Sequence, residues 1–280
     1  MTPEAQPPVG LIAGNGRFPF LVAAGARRAG RRVVAVAIHE EAAPELAGAV
    51  DEIHWVSLGQ LGRCIEALQG AGAREAVMAG QVKHRRIFSG LVPDLKLMGV
   101  LARLAFQNTD SLIGAVADAL GREGISLLPS TAFVADQLAA LGAMTRRRPT
   151  EDERRDVAYG RRIARVLAGL DLGQTVVVKD RAAVALEAME GTDETIRRAG
   201  RLAGPGTTVV KVAKPGQDMR FDVPVVGPGT IAAMGEAGAR VLAVDAGHTL
   251  LLDKADFLAR ADEAGLAVVG LEPSGDEAGD

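Results

Sequence analysis

The sequence predicts an α/β protein: an N-terminal Rossmann-like parallel sheet, then a second, less regular α/β domain. Three observations carry that reading. Short apolar runs alternate with segments of helical periodicity up to about Ser130. A polar, Pro-containing stretch, Thr145-Arg146-Arg147-Arg148-Pro149-Thr150, then breaks the pattern. The 280 residues also exceed the roughly 150 expected of a single domain.

In chain order, the predicted strands of the first half are 9–13, 32–38, 52–56, 75–79 and 125–128. Several are apolar throughout, as strands covered on both faces must be. Helices are predicted between them at 18–29, 58–69, 95–106 and 111–122. Gly30, Gly70 and Gly124 follow three of these and suit left-handed helix ends. Asp110 precedes the fourth and suits an N-cap. Such alternation implies a parallel sheet with helices on both faces.

Residues 1–130 therefore form the first predicted domain, 131–150 a linker and 151–280 the second domain. A charged helix over 151–168 opens the second domain, with Thr150 as its cap and acidic residues in its first turn, which complements the helix dipole. Strands follow at 175–179, 182–188, 207–212, 241–244, 249–252 and 267–271, with helices at 195–199, 230–237 and 255–263. At least two strand pairs are joined by short turns. Residues 273–280 read as a frayed polar tail.

Composition narrows the function. Apolar residues make up 48% of the chain, and 32 basic against 35 acidic residues give a net charge of −3. That balance argues against disorder and against a nucleic-acid partner. Trp55 and Tyr159 are lone examples of their kind, so no stacking platform for bases is visible. The single cysteine, Cys64, excludes an intramolecular disulfide framework or a thiolate zinc cluster, and its helical spacing reads as core. The histidines at 39, 54, 84 and 248 are scattered, which leaves a hard cation held by carboxylates and phosphates as the metal to expect. No apolar run reaches the ~20 residues of a membrane span, and residues 1–8 carry no secretory pattern. A cytoplasmic protein is expected, with contact to a membrane surface left open.

Two regions carry candidate chemistry. In the first, a buried strand enters the turn Gly14-Asn15-Gly16, and a helix follows with Pro19 in its first turn. Glycines there allow close backbone approach, and a helix start attracts anions. The dinucleotide fingerprint needs a third glycine, where this chain has Phe18-Pro19-Phe20, so a nicotinamide-dependent oxidoreductase is disfavoured. A phosphate contact and a plain strand–helix turn both stand. Ligands of such sheets bind beyond the carboxyl ends of the strands, so Gly80-Gln81-Val82 should face the same crevice.

The second region is acidic. Glu187-Ala188-Met189-Glu190-Gly191-Thr192-Asp193 ends a strand and opens a helix; Asp218-Met219-Arg220-Phe221-Asp222-Val223-Pro224 precedes a glycine-rich turn. In an extended segment Asp218, Arg220 and Asp222 would share one face. With Lys211 and Lys214 upstream, these residues suit metal-assisted phosphoryl chemistry; a surface ion network is the alternative. Lys83-His84-Arg85-Arg86 and Arg146-Arg147-Arg148 read as solvated loops, or as contacts for phosphate or an acidic membrane.

The chain resembles the LpxI-type UDP-2,3-diacylglucosamine pyrophosphatases of lipid A biosynthesis over nearly its whole length. The resemblance is carried by Gly10-Leu11-Ile12-Ala13-Gly14-Asn15-Gly16, Ala79-Gly80-Gln81-Val82, Asp110-Ser111-Leu112-Ile113, Asp171-Leu172-Gly173-Gln174 and, most specifically, the segments 187–193 and 214–224. It implies Mg²⁺-dependent hydrolysis of the substrate's pyrophosphate to UMP and 2,3-diacylglucosamine 1-phosphate (lipid X). It also implies a nucleotide-binding N-terminal domain, a catalytic C-terminal domain and the ligand between them. The family's catalytic aspartate maps onto Asp222. Asp193 is the second acidic candidate, chosen more on chemistry than on the family, and both are the expected metal ligands. Lys214 and Arg220 are expected on phosphate oxygens. Gly14, Asn15, Gly16, Gly80, Gln81, Val82, Asp110, Gly191 and Thr192 complete the expected substrate contacts. The acyl chains would meet an apolar groove lined by residues around 87–104 or by the linker. A peripheral place at the inner membrane and a homodimer are implied too. One departure is Thr109-Asp110, where family members often carry two aspartates. The alternative function is a non-catalytic nucleotide-sugar-binding regulator on the same fold.

Overall fold

The computed structural model describes residues 6–82, 92–102 and 109–273, with backbone alone at 109 and 110. The basic run 83–86, much of the predicted groove 87–104, the Asp110 side chain and the tail beyond Pro273 lie outside the described residues. The chain divides into two compact units. One holds residues up to Ala135 together with Asp218–Asp222; the other holds Asp136–Gln217 and the chain from Val223 onward.

In unit 1, strands β1 (Val9–Ala13), β2 (Val33–Ile38), β3 (Glu52–Val56), β4 (Glu75–Ala79) and β5 (Ser126–Leu127) form a five-stranded parallel sheet in the order β3-β2-β1-β4-β5. Its helices are α1 (Phe18–Arg28), α2 (Leu61–Gly70), α3 (Leu95–Leu101) and α4 (Thr109–Arg122). The predicted parallel α/β sheet is therefore present. Val33 to Ala37 of β2 are buried without interruption, which is why the strand reads as one apolar run. Val36, Ile65, Leu68, Leu120 and Ile125 form a core between sheet and helices. Strand order reverses between β1 and β4, the switch point beyond whose carboxyl ends sheets of this kind bind their ligands.

Three local expectations need correction. α2 starts at Leu61 rather than Leu58, because Gly59 turns the chain at φ +104° and Gln60 Oε1 accepts the Ser57 N–H. Gly70 lies within α2, and the left-handed residue after it is Gly72; Gly30 and Gly124 do take positive φ as expected. Asp110 is not an N-cap, since α4 already includes Thr109. Asp94 fills that role for α3, accepting the Leu97 N–H at 2.9 Å.

Unit 2 holds a six-stranded mixed sheet in the order β6-β13-β11-β9-β7-β8, with β6 at Gly142–Ala143, β7 at Thr175–Lys179, β8 at Ala182–Leu186, β9 at Thr208–Lys211, β11 at Val241–Asp245 and β13 at Ala267–Leu271. Strands β9, β11 and β13 run parallel, whereas β7–β9, β7–β8 and β6–β13 are antiparallel pairs. β10 (Val225–Val226) and β12 (Leu250–Leu251) form a separate parallel pair. Helices α5 (Glu151–Gly169), α6 (Thr192–Ala203), α7 (Pro228–Ala237) and α8 (Lys254–Glu263) complete the unit. Thr150 caps α5 with a reciprocal bond from Glu153, as the acidic first turn foretells. α6 is longer than predicted and begins directly after Gly191, whose φ is +82°.

The β7–β8 hairpin turns on Asp180 and Arg181, both at positive φ, the twist that two-residue hairpins prefer. Neither is glycine, so the turn carries strain. Buried Asp156 on α5 relieves it by accepting the N–H groups of Asp180 and Arg181 at 3.1 and 2.6 Å. Asp156→Ala should therefore lower unfolding free energy by about 2–3 kcal/mol. Urea denaturation measures this; an unchanged midpoint would show that the turn holds without its carboxylate.

Candidate active site

The turns after β1 and β4 are locked together. Gly14 N–H donates to Ala79 O at 2.9 Å, Asn15 N–H to Gln81 O at 2.8 Å, and Gln81 N–H to Asn15 O at 3.1 Å. A Cβ on Gly14 would lie 2.6 Å from Gln81 O, and one on Gly80, at φ +93°, 2.6 Å from Asn15 O. These two glycines are required by each other's backbone. The amides of Gly14 and Asn15 are spent on the bridge and cannot cradle a phosphate. Gly16 differs: it is exposed, at φ +94°, and no heavy atom lies within 4 Å of its would-be Cβ. Helix α1 follows, with Arg17 at its N-cap and no side-chain cap. Gly80 and Gln81 are exposed, and Asn15 and Val82 half-buried. The exposed part of this edge is thus Gly16, Arg17, Gly80 and Gln81.

Asp218–Asp222 completes unit 1. Ser130, only 1% exposed, fixes it. The Ser130 N–H donates to Met219 O at 2.7 Å, and its hydroxyl lies 2.7 Å from Met78 O and 2.8 Å from Arg220 O. Met78 is the penultimate residue of β4, so the segment is seated at the strand end from which residues 80–82 depart. Phe221 packs on the unit 1 core, its ring 4.0 Å from where a Cβ on Gly114 of α4 would sit.

The segment is not extended, contrary to expectation. The N–H groups of Phe221 and Asp222 both reach Asp218 O, at 3.2 and 2.9 Å, which closes a turn and removes the alternation of faces. Arg220 Nε bonds Asp218 Oδ1 at 2.9 Å and its Nη2 bonds Oδ2 at 2.7 Å. This fork holds the Asp218 carboxyl below the usual carboxylate range, and Asp118 on α4 adds to the field around Arg220. Arg220 is thus a braced cation, with a carboxylate between it and full availability to a phosphate. Asp222 follows the turn, half-buried.

The remaining expected residues lie in unit 2. Lys214 Nζ pairs with Asp171 at 2.7 Å, and its N–H donates to Gln217 Oε1 at 2.8 Å. Asp193 occupies the second position of α6, and its Oδ2 lies 3.2 Å from where a Cβ on Gly229 would sit. Its carboxylate has no ion-pair partner among the described residues. Thr192 is engaged from beneath by Glu187 and Lys211. Cys64 is buried in the unit 1 core, and burial together with Asp94 pushes its thiol up to about 12, so it is no nucleophile. Of the basic loop, Arg147 pairs with Glu153 and Arg146 with Asp262. Sequence reasoning missed Ser130 and Asp118; neither stands in a motif that would have singled it out.

Comparison with known proteins bears on this arrangement. The family model of the LpxI N-terminal domain matches residues 8–137, and that of the LpxI C-terminal domain matches residues 140–269. UDP-2,3-diacylglucosamine pyrophosphatase LpxI from Caulobacter vibrioides is 31% identical over 279 residues, covering 95% of this chain and 98% of that protein. The chain belongs to the LpxI family.

Within the LpxI match, Asp218–Asp222 falls in the stretch assigned to the C-terminal domain, yet it packs with unit 1. The LpxI N-terminal unit here is therefore completed by five residues borrowed from the other half of the chain. Among the described residues no three or more His, Cys, Asp or Glu side chains converge as metal ligands, and no helix is long and apolar enough to cross a membrane.

Proposed function

We propose that the chain hydrolyses the pyrophosphate of UDP-2,3-diacylglucosamine in a magnesium-dependent reaction, releasing UMP and 2,3-diacylglucosamine 1-phosphate. Membership of the LpxI family supports the substrate class. The observation that carries the assignment to particular residues is the seating of Asp222's loop, through Ser130, at the carboxyl end of β4. The strand-order reversal of unit 1 supports a ligand at that edge, because sheets of this kind bind beyond the carboxyl ends of their strands at such a point.

In this reading the uridine end lies along Gly16 and residues 80–82, where the missing Cβ of Gly16 leaves room for it. Asp222 acts at the phosphates: it accepts a hydrogen bond from the attacking water and draws off its proton as the water adds to one phosphorus. The bridging P–O bond breaks and its electrons stay on the departing phosphate. Arg220 supplies positive charge nearby while Asp218 keeps its guanidinium in one orientation. Asp193, on unit 2, is proposed as a second acidic residue on which turnover depends.

The donor chemistry of the Asp222 loop fits a hard cation, because its ionised ligands are carboxylate oxygens and it offers no thiolate or imidazole. Magnesium is commonly held by one or two carboxylates plus substrate phosphates, so the lack of a larger protein cluster does not conflict with it. Asp222 would hold the ion, which when bound neutralises charge developing on the phosphates. The reading extends to the acyl chains and to peripheral contact with the inner membrane; Val92, Leu95 and Met98, all exposed apolar residues, support an apolar surface near α3.

The test is chemical. Purified protein incubated with UDP-2,3-diacylglucosamine and Mg²⁺ should release UMP, lose that activity in EDTA and regain it when Mg²⁺ is restored. Binding of the nucleotide sugar without release of UMP under any metal condition would favour the non-catalytic regulator instead.

A further inference from the structure

Three buried polar side chains of unit 2, Thr175, Glu187 and Lys211, meet at the hydroxyl of half-buried Thr192. Lys211, at the end of β9, is 4% exposed and Glu187, just after β8, is 7% exposed. Thr192 Oγ donates to Glu187 Oε1 at 2.8 Å, accepts from Lys211 Nζ at 2.9 Å and lies 3.3 Å from the hydroxyl of Thr175 on β7. Glu187 also accepts the Gln174 N–H at 3.1 Å. The Thr192 hydroxyl thus gives its one proton to Glu187 and takes one from Lys211, so both of its strong bonds are made within the protein. Its proton is already committed to Glu187 and is not available to donate to a substrate oxygen.

Stability alone gives a weak reason for such a group. Buried ion pairs are often replaced by apolar residues at no loss, because desolvation cancels most of the attraction. Here burial pushes the Glu187 carboxyl up, but Lys211 and the bonds from Thr175, Thr192 and Gln174 hold it below its ordinary range. What the pair supplies instead is direction. Thr192 is the first residue of α6, and the N-cap before it, Gly191, contributes no side chain to fix the turn. The next residue is Asp193, whose carboxylate rests against Gly229 in the first turn of α7. A small displacement of Thr192 therefore moves Asp193 along the α7 start.

We propose that Lys211 and Glu187 are positioning residues that act through the Thr192 hydroxyl to set the orientation of Asp193. This rests on Asp193 serving the hydrolysis proposed above. Thr192 itself is then an internal strut.

The experiment compares Thr192→Val, which keeps the shape and removes the hydroxyl, with Thr192→Ser, which keeps the hydroxyl. Steady-state cleavage of UDP-2,3-diacylglucosamine by the full chain is measured for both, with thermal melting as the check on folding. Thr192→Val should lower kcat about 10- to 100-fold, the scale of a misplaced catalytic group, with KM within about twofold of wild type. Thr192→Ser should return kcat to within about threefold of wild type. Lys211→Met should resemble Thr192→Val in its kcat. Wild-type kcat in Thr192→Val overturns the proposal, as does failure of serine to rescue. A raised KM at unchanged kcat overturns it too, because that pattern belongs to a residue touching substrate. A wild-type protein that does not cleave the substrate would instead remove the functional reading itself, and the inference with it.

Discussion

Asp222→Ala is expected to reduce turnover of UDP-2,3-diacylglucosamine on the order of a thousandfold or more, while substrate binding changes little. The asymmetry follows from where the residue sits. The loop is anchored by the Ser130 bonds to Met219 and Arg220, by Phe221 in the core and by the Asp218 carbonyl, none of which uses the Asp222 side chain. Truncating Asp222 should leave these anchors in place and remove the carboxylate that manages the water and the cation. Asp218→Asn makes a useful contrast. It loosens the fork on Arg220, and its loss of kcat should be smaller than that of Asp222→Ala. Single-turnover release of UMP, with substrate affinity measured by calorimetry, separates the two effects. Full turnover by Asp222→Ala would remove the residue from the chemistry.

The second large effect is expected at Gly14. A methyl group there meets the Gln81 carbonyl oxygen at 2.6 Å, and the obstacle is backbone, which cannot swing aside as a side chain would. The bridge between the β1 and β4 turns must open, at a cost of about 1–3 kcal/mol. Gly14→Ala should therefore melt earlier and also bind UMP at least about tenfold more weakly, the equivalent of 1.4 kcal/mol. Gly16→Ala has free space around it and meets only the strain of φ +94°, about 1 kcal/mol. Its effect on melting should be the smaller of the two. Equal UMP affinity in Gly14→Ala and wild type would mean that the bridged turns take no part in nucleotide binding.

How much of this is written in the sequence depends on whether an element is fixed locally. β1, β3 and β4 have the predicted bounds because each is a continuous apolar or alternating run closed by a turn. The two-residue strands β6 and β10 are too short to carry any period, and pairing partners far along the chain define them, whereas β5 and β12 fall within the predicted runs 125–128 and 249–252. The Asp218–Asp222 segment shows the same division. Its residue types point to phosphate chemistry, but its conformation is decided by Phe221 finding a distant core and by Ser130 holding two of its carbonyls. A local rule could only treat it as extended. Likewise Lys214 and Arg220 look like phosphate ligands in one dimension, while folding gives each a carboxylate neighbour, Asp171 and Asp218. The doublet Gly14 and Gly80 is the converse case: the glycines were legible, but their reason, two backbones in contact, was not.

The central claim is that the β1 and β4 turns and the Asp222 loop together form the nucleotide edge of unit 1. Backbone amide NMR of the full chain during titration with UMP tests it directly. The account predicts chemical-shift changes concentrated at Gly16, Gln81 and residues 219–222. Changes confined instead to Arg31, Arg74 and Glu75, at the amino-terminal edge of the same sheet, would contradict it.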